Sequence, residues 1–172
     1  KIESHLNNAR AYDRSYYYNM RAYEALLKKD INRADTYCQM FMQIDLEIQF
    51  HSVPFFKGLT VSSQAQVLHK QGKYAEADAA ISNVYQIAQR MKSRILEYMS
   101  LISNAQFAFD RGNGADGIAF LRQAMTIGRE KGYGHATFYW WQPDVMSKLC
   151  AIALEHGVEV EYVQSLIRKC NL

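Results

Sequence analysis

Metal ligation, thiol chemistry and nucleophilic catalysis are the first chemistries to test against the side chains of this chain. Five histidines stand at 5, 51, 69, 135 and 156, and three cysteines at 38, 150 and 170. One helix face offers two imidazoles to an ion when they are four residues apart, and zinc sites recur as C-x-x-C. Neither spacing occurs, so structural or surface roles are expected. The cysteines are odd in number and far apart, which gives no disulfide framework and suits a reducing, cytoplasmic setting. Ser62 and Ser63 lack the glycine frame of a nucleophile elbow. Asp45, Glu47 and Asp110 are scattered carboxylates, and no G-x-x-x-x-G-K-[ST] occurs. The chain is therefore read as non-enzymatic, with no catalytic residue, cofactor or metal ligand.

Recognition is the chemistry that remains. In YDRSYYYNMRAYEAL (12–26), Tyr16, Tyr17 and Tyr18 are consecutive, and on a helix they span about 200° of its surface. They cannot all face one core. Tyr16, Tyr17, Tyr18 and Arg21 are therefore candidates for a groove or partner surface, because tyrosine is large, stiff and amphipathic. The alternative has Tyr16 and Tyr23, seven apart, filling a helix interface. Under the first reading, Tyr17→Ala or Tyr18→Ala weakens binding and leaves the melting temperature nearly unchanged. HATFYWWQP (135–143) is a second aromatic cluster, read as core packing at Pro143 or as a ligand cage.

The C-terminal stretch CAIALEHGVEVEYVQSLIRKCNL (150–172) reads helix, glycine turn, helix. Ala153, Gly157, Val158, Val163 and Leu166 fit the spacing of a DNA-reading helix-turn-helix, and they equally fit a repeat hairpin. Glu159 and Glu161 would open the recognition helix, where carboxylates repel the phosphate backbone. Acids at the start and Arg168 and Lys169 at the end instead suit the helix dipole.

These residues must be positioned by helices. Nine glycines and two prolines in 172 residues leave few breakers, and 49% apolar residues supply a core. The net charge of +3 is milder than the basic stripe of a dedicated nucleic-acid binder. No signal peptide is evident and no apolar run is long enough to span a bilayer, so no membrane partner is expected. The chain starts at Lys1 and not at Met, as expected of a segment of a longer polypeptide.

Repeats organise the helices. LHKQGKYAEADAAISNV (68–84) aligns with AFDRGNGADGIAFLRQA (108–124), pairing Gly72 with Gly112, Ala77 with Gly117, Ile81 with Leu121 and Val84 with Ala124, each 40 apart. The small residue five after the turn glycine allows close helix packing, and the next two share its face. Ala34, Cys38 and Phe41 form a fainter copy 43 residues upstream, and Gly157 lies 45 past Gly112. Helices are expected over about 3–29, 31–50, 55–71, 74–91, 94–111, 114–131, 136–156 and 159–170. Gly72, Gly112, Gly132 and Gly157 are expected to end helices in the left-handed conformation, and Pro143 to force a kink or restart.

Gly72, Tyr74, Ala77 and Ile81 form a G-x-Y-x-x-A pattern, with an apolar residue four further on, that resembles the tetratricopeptide repeat. The period here is 40 instead of 34, and Gly114 and Gly117 stand where Tyr and Ala are usual. YWWQPDVMSKLCAIALEHGVEVEYVQSLIRKCNL (139–172) is similar to the end of the helical-repeat region in large ATP-dependent bacterial transcription regulators, the signal-transduction ATPases of the maltose-regulon-activator type. The resemblance implies an all-α, tetratricopeptide-like right-handed superhelix of about four antiparallel helix pairs forming one domain. It makes Trp140, Trp141, Pro143, Gly157 and Tyr162 a hinge hairpin into an output module. The implied function is a non-catalytic sensor that binds a protein or small-molecule effector in a concave groove. It would relay this to ATPase and DNA-binding modules elsewhere in the parent, so that DNA is met only through another domain. A stand-alone interaction scaffold, direct DNA binding through 150–170, and self-association remain open alternatives.

Overall fold

The structure, a computed structural model, describes residues 10–47, 54–134 and 142–172. Among these, eight helices and no strands occur: α1 (Ala11–Leu27), α2 (Ile31–Glu47), α3 (Pro54–Lys70), α4 (Tyr74–Met91), α5 (Arg94–Asp110), α6 (Gly114–Lys131), α7 (Pro143–Glu155) and α8 (Val160–Cys170). The all-α expectation holds, and the other described helix ends fall within two residues of the expected ones, but α1 and α7 start later than expected, at Ala11 against 3 and at Pro143 against 136, each after an extended residue. Pro143 restarts the chain as the first turn of α7, where its missing N–H costs nothing. No helix among the described residues is long and apolar enough to cross a membrane.

Two compact units divide the chain, Lys1–Ala80 and Ile81–Leu172. In the first, α1 packs on α2 and α3, and α2 packs on α3. Ala22, Ala25 and Leu26 of α1 meet Ala34, Cys38 and Phe41 of α2 in its core. The inward face of α1 runs Ser15, Asn19, Ala22, Leu26, all buried, so it is small and polar in its first half and apolar in its second. In the second unit, α5 packs on α6, α7 on α8, and α6 on both α7 and α8. Tyr98, Phe107, Leu96, Ile102, Leu121 and Met125 are among its largest fully buried side chains.

One turn geometry punctuates both units. At Gly72 (φ +78°) the glycine N–H donates to His69 O at 3.0 Å and the Lys73 N–H to Leu68 O at 2.9 Å. Forty residues on, Gly112 (φ +78°) donates to Phe109 O at 3.1 Å and Asn113 to Ala108 O at 2.9 Å. Open space surrounds both glycines, so their role is the left-handed turn and not close packing. Lys29 (φ 59°) and Lys92 (φ 53°) hold the same conformation with a side chain. A non-glycine residue there costs about 1 kcal/mol or more. Lys29→Gly and Lys92→Gly are each expected to stabilise by about 0.5–1 kcal/mol in urea unfolding. A loss at both would show that these turns are not strained.

The packing residues of the repeat behave as their spacing requires. Ala77, Ile81, Leu121 and Ala124 are all fully buried. A Cβ added to Gly117 would lie 2.7 Å from Phe109 Cε1, so this glycine does let α6 approach α5. Tyr74 is 45% exposed and sets its ring 5.3 Å from His69 at the turn, outside the core that the repeat pattern implies for it. A buried polar seam recurs with the same period: Thr60, Ser63 and Gln66 on α3, then Ser100, Ser103 and Gln106 on α5.

Candidate functional site

Small side chains at 15, 19 and 60 leave a space between α1 and α3 that the surrounding residues do not fill. It is a cavity of about 230 Å³. Its rim carries Tyr12 and Tyr16, four apart on one face of α1, and Phe56 of α3. These three rings are 38%, 42% and 43% exposed. The floor is Ser15, Asn19 and Thr60, all buried. Asp13 on α1 and Lys57 on α3 complete the lining.

The floor is held from behind. Ser63 Oγ donates to Asn19 Oδ1 at 2.8 Å, a buried bond that joins α3 to α1. Thr60 Oγ1 donates back to Lys57 O at 3.0 Å, and Ser62 Oγ to Gly58 O at 2.8 Å. Ser62 and Ser63 therefore serve as struts of α3, in hydrogen bonds to backbone and amide. With its oxygen bonded to Ser63, the Asn19 amide keeps its N–H donors for an occupant of the cavity.

The tyrosine triplet divides as helix geometry demands. Tyr16 stands at the cavity. Tyr17 is half-buried and edge-on to Tyr18, with ring centroids 5.3 Å apart. Tyr18 packs against the core cluster and stacks on Tyr37 at 6.2 Å. Arg21 is committed to the α1–α2 interface: it pairs with Glu24 and lies 5.5 Å from the centre of the Tyr37 ring. This corrects the expectation for Tyr18, whose ring is part of the packing between α1 and α2. Tyr18→Ala is expected to cost about 1–3 kcal/mol. Tyr16→Ala should stay within about 0.5 kcal/mol of the parent. Thermal melts of the two variants check this, and equal losses would remove the distinction. Nor does Tyr16 fill a helix interface with Tyr23, since it is among the exposed large side chains.

In the C-terminal hairpin, Gly157 (φ +62°) makes the turn and Val158, Val163 and Leu166 are buried. Glu159 adopts a left-handed conformation (φ 43°) and faces α6. Its Oε1 accepts from Thr126 Oγ1 and its Oε2 pairs with Arg129 Nε, both at 2.9 Å. The start of α8 is thus tied to α6, and Glu161 beside it is exposed. The apolar spacing shared with a helix-turn-helix here seats α8 on α6 and α7. Trp140, Trp141 and the rest of 135–141 lie outside the described residues.

Tyr162 Oη donates to Tyr133 O at 2.7 Å. Burial pushes the Tyr162 hydroxyl up to about 12 and the Cys150 thiol up to about 11, from ordinary values of 10.0 and 9.0. The unfolded chain ionises these groups first, so it gains relative stability as pH rises from the ordinary values to the folded ones. These groups add no pH dependence below about pH 8.5 and should make stability fall from pH 9 to 12. Cys150→Ala should lessen the fall between 9 and 11 without abolishing it, because burial raises the Cys38 thiol as well. Urea midpoints across that range measure it, and an unchanged midpoint up to pH 11 would contradict it.

No protein-family model, curated protein or solved structure matches this chain.

The cavity draws on residues that the sequence reading passed over: Asp13, Asn19, Phe56, Lys57 and Thr60. Tyr12 and Tyr16 at helical spacing were the available signal, since two aromatics four apart must share a face.

Proposed function

We propose that this chain is a non-catalytic binding module whose first unit holds a small effector between α1 and α3. The observation that supports it is the aromatic-rimmed cavity of about 230 Å³, with buried polar groups at its floor. Sites of this kind, apolar walls with a few fixed polar groups, are the usual form of small-molecule pockets. The 40-residue recurrence of turn, small packing residue and polar seam supports a tetratricopeptide-like right-handed superhelix of about four antiparallel helix pairs. The resemblance of 139–172 supports placing the module in a cytoplasmic bacterial transcription regulator. Effector occupancy would there be relayed through the C-terminal hairpin to ATPase and DNA-binding modules of the parent.

A ligand-observed NMR screen of small aromatic fragments tests the binding reading. Fragments should bind, and Tyr16→Ala should weaken them about tenfold without changing the fold. Binding that ignores Tyr16→Ala, or no binding at all, would overturn it.

A further inference from the structure

We infer that the α1–α3 cavity is a site for a free α-amino acid with an aromatic or branched apolar side chain, an inference that rests on the cavity being the effector site proposed above. Size sets the first limit. An apolar cavity of roughly 150 Å³ takes benzene, so about 230 Å³ suits roughly nine to twelve non-hydrogen atoms. That is the range from leucine to phenylalanine.

Charge sets the second limit. Asp13 and Lys57 line the same cavity from different helices, and neither side chain forms an ion pair with another described residue. Opposite charges that share a cavity without neutralising one another are matched by a ligand carrying both signs. The ammonium of an amino acid meets Asp13 and the faces of Tyr12 and Tyr16, where aromatic rings attract cations. Its carboxylate meets Lys57. An N–H of the Asn19 amide, 3% exposed and bonded to protein through its oxygen, offers a further donor to the carboxylate at the floor. The ligand side chain then lies against Phe56. A purely cationic ligand would leave Lys57 opposed, and a purely anionic one would leave Asp13 opposed, so both are disfavoured.

The test is calorimetric titration of the full chain with L-phenylalanine and L-leucine, beside phenethylamine and 3-phenylpropionate, which each lack one charge. L-phenylalanine is expected to bind, with both analogues at least about tenfold weaker. Lys57→Gln should weaken L-phenylalanine about tenfold and leave phenethylamine no weaker, since the variant removes a like charge. Asp13→Asn should weaken L-phenylalanine similarly and leave 3-phenylpropionate no weaker, for the same reason. Both positions are exposed, so both variants should fold. An analogue that binds as well as L-phenylalanine overturns the inference, as does no heat from either amino acid at about 10 mM. If aromatic fragments still bind in a Tyr16-dependent way, only the amino-acid assignment falls. If they do not, the effector-site reading falls with it.

Discussion

Phe41→Ala should destabilise the first unit by about 3–5 kcal/mol. Phe41 is 1% exposed and closes the core formed by Ala22, Ala25 and Leu26 of α1 with Cys38 of α2 and Val67 of α3. Truncation loses the transfer energy of the ring and leaves a void that three alanine- and cysteine-sized neighbours cannot collapse into. Domains of this size are stable by about 5–15 kcal/mol, so the variant should lie close to its unfolding midpoint in mild urea. Leu46→Ala on the same helix is the control, because Leu46 is 65% exposed and its loss should cost under about 0.5 kcal/mol. Urea unfolding followed by circular dichroism separates the two. A Phe41→Ala loss below about 1 kcal/mol would mean that α2 does not seat on α1 through this face.

The second large effect is expected from Gly128→Val in the other unit, about 3 kcal/mol. Gly128 is buried in α6, and a Cβ there would run into the ring and hydroxyl of Tyr162, with Cζ only 2.7 Å away. Glycine in a helix costs about 1 kcal/mol relative to alanine, so a side chain at 128 recovers some stability. The collision outweighs that gain, because Tyr162 cannot move aside without breaking its bond to Tyr133 O and disturbing the buried Tyr98. Tyr162→Ala removes the obstacle. The double variant Gly128→Val/Tyr162→Ala should therefore be more stable than the sum of the two losses predicts, by at least about 1 kcal/mol. Strict additivity would show that the two residues do not touch.

These two cases also show what the sequence makes legible. Phe41 belongs to the Ala34, Cys38, Phe41 copy of the repeat, and a face spaced 4 and 3 along a helix announces burial without any knowledge of its partner. The helix ends are legible for a similar reason, since glycine is the residue that takes a left-handed turn without cost. Lys29 and Lys92 make the same turns and carry no such mark. Gly128 and Tyr162 lie 34 positions apart in different hairpins, so nothing local connects them. The cavity is less legible still. Ser15, Asn19 and Thr60 become a floor only when α1 pairs with α3, and in the sequence they resemble ordinary polar residues of a solvated face. Ser63 draws notice as a nucleophile candidate, and its actual role, a bond to Asn19 across 44 residues, depends on the same pairing. The tyrosine triplet lies between these extremes. Its spread around the helix is legible, while the choice of Tyr16 for the cavity and Tyr18 for the core depends on where α2 and α3 sit.

The bond between Ser63 and Asn19 also bears on how this site could change over generations. The floor of the cavity is at the same time a tie between two helices, so altering it for a new ligand would loosen the unit that contains it. The rim carries no such burden, because Tyr12, Asp13, Tyr16, Phe56 and Lys57 are exposed. A library randomised at the rim should return mostly folded proteins with shifted preferences, while one randomised at 19 and 63 should return mostly unfolded chains. New specificities would thus be reached by repainting the entrance, with the foundation kept as it is.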